Sequence, residues 1–451
     1  MNINEAFSSF LSPLNVLFKK AKIYIFNITW EIAETIFRLL INFLITILIA
    51  RYFGPEFFGV LSYSISLIVL FQVFGHMGLS GLIVRELVKN PKFNVEILGT
   101  TFILKTFGYI FSFTALVIYI LCTEDTQSEQ FWIVFFLSIG ILFKPFNVIE
   151  FWFKSRLEAK YNFLAKTSVL TIVTIAKIIL ILTGSRIINF ALAILFEEIL
   201  LAISFVLLYN KKSQIDFKEW KFSPKRAKGL LSDSWKVFLG SLFAVIYLKI
   251  DQMMIKWFHG SIEVGLYSVA SKISEVWYFI PTAIVMSLFP KLIDIHKTNS
   301  VLFKIRLQQI FDFLFTIGFV IAIMLTFISE SLISILFGEA YVESVPILVI
   351  HLWGGVFIFM RSLLSKWILI ENILIVSLIT QGLGALTNIF LNYLFIPNHG
   401  GIGAAYATLI SYAVASYFSL TFHPRTRPVF WMMTNSIFPF KRLFKINIKN
   451  K

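Results

Sequence analysis

Charge is scarce in this sequence, and so are cysteine and histidine. Asp, Glu, Lys and Arg make up 14% of the chain, against about a quarter in a soluble domain, so the sequence cannot clothe an ordinary water-facing surface. A single cysteine, Cys122, excludes an internal disulfide and a thiolate metal cluster. The histidines (His76, His259, His296, His351, His399 and His423) are scattered without metal-ligand spacing. No Gly-rich phosphate loop is present, so nothing points to ATP hydrolysis. No cleavable leader is expected either, because Lys19, Lys20 and Lys22 follow an apolar stretch instead of preceding it.

What is abundant is apolar: 58% of the residues, 51 of them Phe, with a mean hydropathy of +0.82. An A+T-rich genome favours Phe, Ile, Lys and Asn, but such a bias does not gather apolar residues into runs. Here they fall in runs of about 20, the length that crosses a hydrocarbon core about 30 Å thick. The runs predict helices over 29–50, 57–77, 99–122, 131–153, 165–183 and 187–209, then 235–257, 264–290, 307–329, 344–367, 372–396 and 401–422. The fold class expected is therefore all-α and integral to the membrane, with about 12 transmembrane helices in two six-helix lobes. Residues 1–28 form a cytoplasmic or interfacial lead-in, 29–209 an N-lobe, 210–234 a basic cytoplasmic linker, 235–422 a C-lobe and 423–451 a basic cytoplasmic tail.

The net charge of +15 would suggest a nucleic-acid partner in a soluble protein. In a membrane protein it is first the excess of Lys and Arg in cytoplasmic loops, and no nucleic acid is expected. With the N-terminus inside, 31 of the 40 Lys and Arg fall on the cytoplasmic side, Arg361 and Lys366 of the tenth loop among them. The outer loops hold only Arg51, Arg186 and Lys256. One missed span would flip every later loop and destroy this asymmetry.

The two halves repeat. Gly54-Pro55-Glu56-Phe57-Phe58-Gly59 joins the first two helices, and Gly260-Ser261-Ile262-Glu263-Val264-Gly265 joins the seventh and eighth, 206 positions later. Ser62 and Ser268 align at the same offset. Six helices per half return the chain to the same side, so the repeat is parallel about an axis along the membrane normal, and two such lobes enclose a central cavity.

Charges inside spans are costly and usually face a polar interior. Arg38, Lys144, Lys249 and Lys272 sit well inside four helices, and Lys105 nearer a helix end, where it can snorkel to the interface as Glu150 can. A ladder of cations suits an anionic substrate such as a phosphate or acidic sugar. Glu34, Asp251, Glu275 and Asp312 are the candidates for carrying a coupling proton or sodium ion; no other cofactor and no metal is expected. Some of these charges also pair naturally: Glu34 with Arg38 at i,i+4, Lys272 with Glu275 at i,i+3, and Lys177 with Glu197 or Glu198 across a helical hairpin. Lys144 precedes Pro145, which should kink the fourth helix.

The opening stretch carries a resemblance. Asn27, Trp30, Glu34 and Arg38, then Ala50 through Gly59, Ser62-Tyr63, Gly78-Leu79 and Ile83 through Leu87 resemble the start of polysaccharide (O-antigen type) flippases. Asp251-Gln252, Gly265 through Ser268, Ala270, Ile273, Glu275, Pro281, Pro290, Phe337-Gly338 and Tyr341 extend it through the second half. Those flippases are a polysaccharide transport branch of the MATE-like MOP exporter superfamily. The likeness covers most of the chain, least over helices three to six and the tail. It implies a secondary transporter rather than an enzyme, multi-pass in the bacterial inner membrane with both termini cytoplasmic. Its substrate would be an undecaprenyl-pyrophosphate-linked oligosaccharide, moved by alternating access through the cationic cavity, with Arg38 and Lys272 as first contacts. Membrane lipids, a polysaccharide polymerase and a chain-length regulator would be its partners. A cation-coupled MATE-type exporter of small molecules is the alternative, and the sign of the buried charge argues against it. A polymerase or ligase of the same pathway is a second alternative, for which the outer loops are short. Twelve helices also argue against the fourteen-helix flippases of peptidoglycan precursor.

Overall fold

The computed structural model describes residues 3–213 and 216–438, with side chains from residue 26. The side chains of the lead-in before that residue, and the last part of the basic tail, lie outside the described residues. No strand occurs among those described. The helices are α1 (Ile3–His76), α2 (Ser80–Lys89), α3 (Asn94–Thr123), α4 (Glu129–Ile141), α5 (Val148–Ser155), α6 (Ala159–Leu182) and α7 (Ile187–Lys212). They continue as α8 (Pro224–Glu275), α9 (Phe279–Thr298), α10 (Ser300–Phe337), α11 (Ser344–Ile370), α12 (Leu374–Ser416) and α13 (Arg427–Ser436).

Among the described residues, eight elements are long and apolar enough to cross a membrane, and α4 with the segment Lys144–Ser155, bent by 41°, makes a ninth. That bend falls at the Lys144–Asn147 turn, where Pro145 removes a helical hydrogen bond. Three of the eight are each divided by a glycine of non-helical backbone: Gly54 in α1, Gly260 in α8 and Gly400 in α12. Each of those three holds two expected spans, so the described residues accommodate all twelve.

Gly54 (φ 71, ψ 178) and Gly260 (φ 82, ψ −166) take the same conformation at the same place in the repeat. A positive φ beside an extended ψ is open to glycine and strained for any other residue. In lipid such a break is tolerated because each flanking helix satisfies its own backbone.

The chain forms two compact units. The first comprises Met1–Ile45, Gly75–Ala115 and Phe136–Ser234. Its core gathers Leu79 just before α2, Ile83 and Leu87 of α2, Ile97 and Leu98 of α3, Trp152 and Phe153 of α5, and Phe205 and Tyr209 of α7. The second comprises Thr46–Phe74, Leu116–Phe135 and Trp235–Lys451. There Leu292, Phe303, Leu307, Phe311, Leu364 and Trp367 pack with Leu420, Val429 and Met433. The other helix faces stay apolar. On α10, Val320, Met324 and Phe327 are exposed while Leu314, Ala322 and Leu325 are buried, the pattern of a helix with one side on protein and one on acyl chains.

The segment between the halves is built in, not slack. Asp216 caps the short turn Phe217–Glu219 through a capping box. Trp220 packs edge-to-face with Phe102 and donates its indole N–H to Tyr209 Oη at 3.0 Å. Lys221 N donates to Val95 O, Ser223 N to Thr100 Oγ1 at 2.9 Å, and Arg226 pairs with Glu96 at 2.8 Å. The tail is also partly folded: α13 docks on α10, with Ser436 Oγ and Gln308 Nε2 both donating to Asp312 Oδ1 at 2.8 Å.

Candidate functional site

Two charged clusters stand out, one in each unit. In the second unit the centre is Asp251, 2% exposed on α8. Its carboxylate accepts hydrogen bonds from Tyr267 Oη, Thr408 Oγ1 and Asn392 Nδ2, each at 2.6 Å. Tyr267 reaches it because the Gly260 break folds α8 back on itself, and Asn392 and Thr408 lie on the two segments of α12 either side of Gly400. Burying a carboxylate is costly without such donors. Asn392 also donates to Asn388 Oδ1 at 3.2 Å, while Asn388 Nδ2 and Asn392 Oδ1 are buried without a partner.

Nearby, Lys249 Nζ stands 3.7 Å from Glu275 Oε1. Lys272, exposed and three residues before Glu275, is close enough for its charge to act on both. The structure therefore pairs Glu275 with Lys249 of the preceding span, instead of with Lys272 at i,i+3. His351 completes the group, 2% exposed, with Ser274 Oγ at 2.6 Å from its Nδ1 and within electrostatic reach of Glu275 and Asp251. Two lysines face Glu275 here, while Asp251, held by its three neutral donors, supplies the second carboxylate of the group.

In the first unit most of the expected cations are neutralised. Arg38 Nε donates to Glu34 Oε1 at 2.9 Å, although its side chain stays half exposed. Lys144 pairs with Glu198, and Lys177 with Glu197 at 3.1 Å. Adjacent glutamates of α7 thus hold two different helical segments. Lys105 does not snorkel: it is 1% exposed, with Nζ 4.8 Å from the Phe151 ring centroid. Glu150 likewise points inward and is shared by Lys154 at 2.7 Å and Lys166 at 2.9 Å. His76, whose Nδ1 lies 3.3 Å from Tyr109 Oη, feels the charges of Lys105 and Lys144.

The structure thus brings together Lys249, Lys272, Glu275 and Asp251 in one unit, and Lys105 with Lys144 in the other. Arg38 and Glu34 form their own pair on α1, and Asp312 serves the docking of α13. Arg361, expected in a cytoplasmic loop, is 7% exposed within α11, where Nη1 donates to Ala415 O at 2.7 Å and Thr380 Oγ1 at 3.0 Å. Asn388, Asn392 and Thr408, uncharged residues within apolar runs, carry no site signal in the sequence; Tyr267 entered only through the hairpin motif and His351 only as a scattered histidine. Among the described residues no group of three or more His, Cys, Asp or Glu is placed to hold a metal ion.

Comparison with known proteins gives one consistent result. The chain is 23% identical over 400 residues to the capsular polysaccharide biosynthesis protein CapF of Staphylococcus aureus, covering 86% of this chain and 96% of that protein. It is 30% identical over 226 residues to the probable flippase AglR of Haloferax volcanii, covering 45% and 44%. Among solved structures, the lipid II flippase MurJ in an inward closed conformation superposes with a TM-score of 0.69 at 19% identity, over 94% of this chain and 93% of that one. A multidrug resistance MATE family transporter of the MOP superfamily, inward-facing, gives 0.68 at 15% identity, over 89% and 96%. These likenesses establish a MOP-type transporter fold. The family described as "Polysaccharide biosynthesis protein" matches residues 25–296, more than half of the chain, and the chain belongs to that family.

Proposed function

We propose that this protein flips undecaprenyl-pyrophosphate-linked oligosaccharide repeat units across the bacterial inner membrane, from the cytoplasmic leaflet to the outer one, for assembly of O-antigen or another surface polysaccharide. The observation that carries this, beside the family, is the pair of lysines, Lys249 and Lys272, gathered around Glu275 within spans. A pyrophosphate is the moiety of such a substrate that must leave water, and fixed ammonium groups offset its desolvation. Arg38, half exposed despite its bond to Glu34, supplies a guanidinium from the first half. Lys105, with no carboxylate within 4 Å among the described residues, adds positive potential there. The lipid tail stays in the bilayer, and no bond is made or broken, so the protein is a transporter and not an enzyme.

Alternating access needs an end of the bundle that opens and closes. In the second unit the hairpins at Gly54–Gly59 and Gly260–Gly265 meet, which supports a state closed at that end. Asp251 is the carboxylate we assign to coupling. Its buried oxygens, with the spare oxygen of Asn392 beside them, suit a proton or a hard monovalent cation, which prefers oxygen ligands.

The test is a deletion in the native host, with lipid-linked repeat units assigned to a leaflet. Accumulation on the cytoplasmic face with loss of surface polysaccharide upholds flipping. Single repeats reaching the outer face would favour a polymerase, and normal polymer would favour a small-molecule exporter of the MATE type.

A further inference from the structure

A cavity of about 410 Å³ lies apart from both charged clusters, at the meeting of α10, α11 and α13. All of its lining falls in the second unit. Its lining combines apolar residues, Trp367 and Met432 among them, with Lys304, Arg425, His296 and Glu371.

Its depth in the bilayer follows from helix length. The 38 residues of α10 rise about 57 Å at 1.5 Å each, well beyond a hydrocarbon core of about 30 Å. The apolar run of α10 begins only at 307, which leaves its first turns, with Lys304, outside the hydrocarbon core. The connections α9–α10, α11–α12 and α12–α13 converge on the same cavity, which fixes it at one end of the helices. A tryptophan beside basic side chains is the usual furniture of the headgroup layer.

The charge is unbalanced. Among the described residues neither Lys304 nor Arg425 has a carboxylate within 4 Å; Glu371, whose Oε1 lies 3.8 Å from His296 Nδ1, is the single carboxylate of the lining, so the two cations outnumber it. Two cations thus share a pocket with apolar residues, the complement of a phosphate ester attached to an acyl chain. We propose that this pocket binds the headgroup of an anionic bilayer phospholipid, its phosphate between Lys304 and Arg425 and its first methylenes against Trp367 and Met432. A zwitterionic lipid would bring an ammonium group against the same two cations. The pocket is too small for a multi-sugar repeat unit. The chain's own residues 439–451 carry Lys441, Arg442, Lys445, Lys449 and Lys451 and would bring like charge.

Protein delipidated in detergent is titrated with phosphatidylglycerol, with phosphatidylcholine and with inorganic phosphate, and bound lipid is counted by native mass spectrometry. Phosphatidylglycerol should be retained in preference to phosphatidylcholine. Lys304→Gln with Arg425→Gln should lower its affinity about tenfold or more. Lys297→Gln, at an exposed lysine outside the pocket, should not, and Lys304→Arg with Arg425→Lys should keep binding. Equal retention of the two lipids, or equal phosphatidylglycerol binding by the wild type and the double Gln variant, overturns the proposal. Displacement of the lipid by inorganic phosphate also overturns it, since the site would then serve a free anion. Should the double variant fail to fold, thermal unfolding of the wild type decides: a stabilisation no greater with phosphatidylglycerol than with phosphatidylcholine refutes the site.

Discussion

Gly59 and Gly265, equivalent positions of the two repeats, each occupy the one spot where the other's hairpin leaves no room for a side chain. A Cβ on Gly59 would stand 1.8 Å from Ser261 O, and a Cβ on Gly265 would stand 2.0 Å from Pro55 O. The contact is reciprocal, as a two-fold axis requires. Backbone meets backbone with nothing between, the close approach that small residues permit between membrane helices.

Gly59→Ala and Gly265→Ala should each destabilise the protein by about 1–3 kcal/mol, the usual cost of overpacking. The double variant should cost less than the sum, because one displacement of the hairpins relieves both clashes. Gly81→Ala, whose Cβ meets open space, is the control. Thermal unfolding in detergent reads all four; a Gly59→Ala variant as stable as the control would show that the hairpins are apart in the purified protein.

Asp251→Asn should abolish complementation of a deletion strain while leaving a protein that inserts. It replaces a charged acceptor of three hydrogen bonds by a neutral amide, at a cost of about 1–3 kcal/mol. Tyr267→Phe removes one donor and should lower transport without abolishing it. Wild-type surface polysaccharide in the Asp251→Asn strain would remove this residue from the coupling role.

The two α7 glutamates should prove distinct. Glu198→Gln strands Lys144, and Glu197→Gln strands Lys177. In double-mutant cycles with Lys144→Met and Lys177→Met, each correct pair should show a coupling of about 1 kcal/mol, and each crossed pair near none. Equal couplings in the crossed pairs would mean that the two bridges exchange partners.

Gly99→Val should lift the inter-lobe segment from α3, since a Cβ at Gly99 would stand 2.5 Å from Lys221 O. Trypsin should then cut faster after Lys218 or Lys221 than in the wild type. Unchanged digestion would show that the segment is not held there.

Much of this was legible in the chain. Hydropathy runs, the paired hairpin glycines and the Pro145 kink are local signals, and each marks its own position. The Glu34–Arg38 and Lys177–Glu197 bridges were legible because one turn of helix or one hairpin sets their spacing. The surroundings of Asp251 were not, because Asn392 and Thr408 lie 141 and 157 positions away. Loop charge counting also misled at Arg361, which near a helix end looks like a loop cation and is instead consumed by the carbonyl of Ala415. Periodicity likewise gives no sign that α13 will fold back on α10, since that depends on Asp312 finding Ser436 across 124 positions.

The polar segment before α8 is, on paper, the obvious seam at which to divide the chain, insert a reporter domain or swap halves between relatives. Its capped turn, its Trp220 wedge and its bonds to Val95 and Thr100 make it a fitted joint. A chimera cut there would inherit an α3 shaped for someone else's linker, so α3 and the linker should be exchanged together.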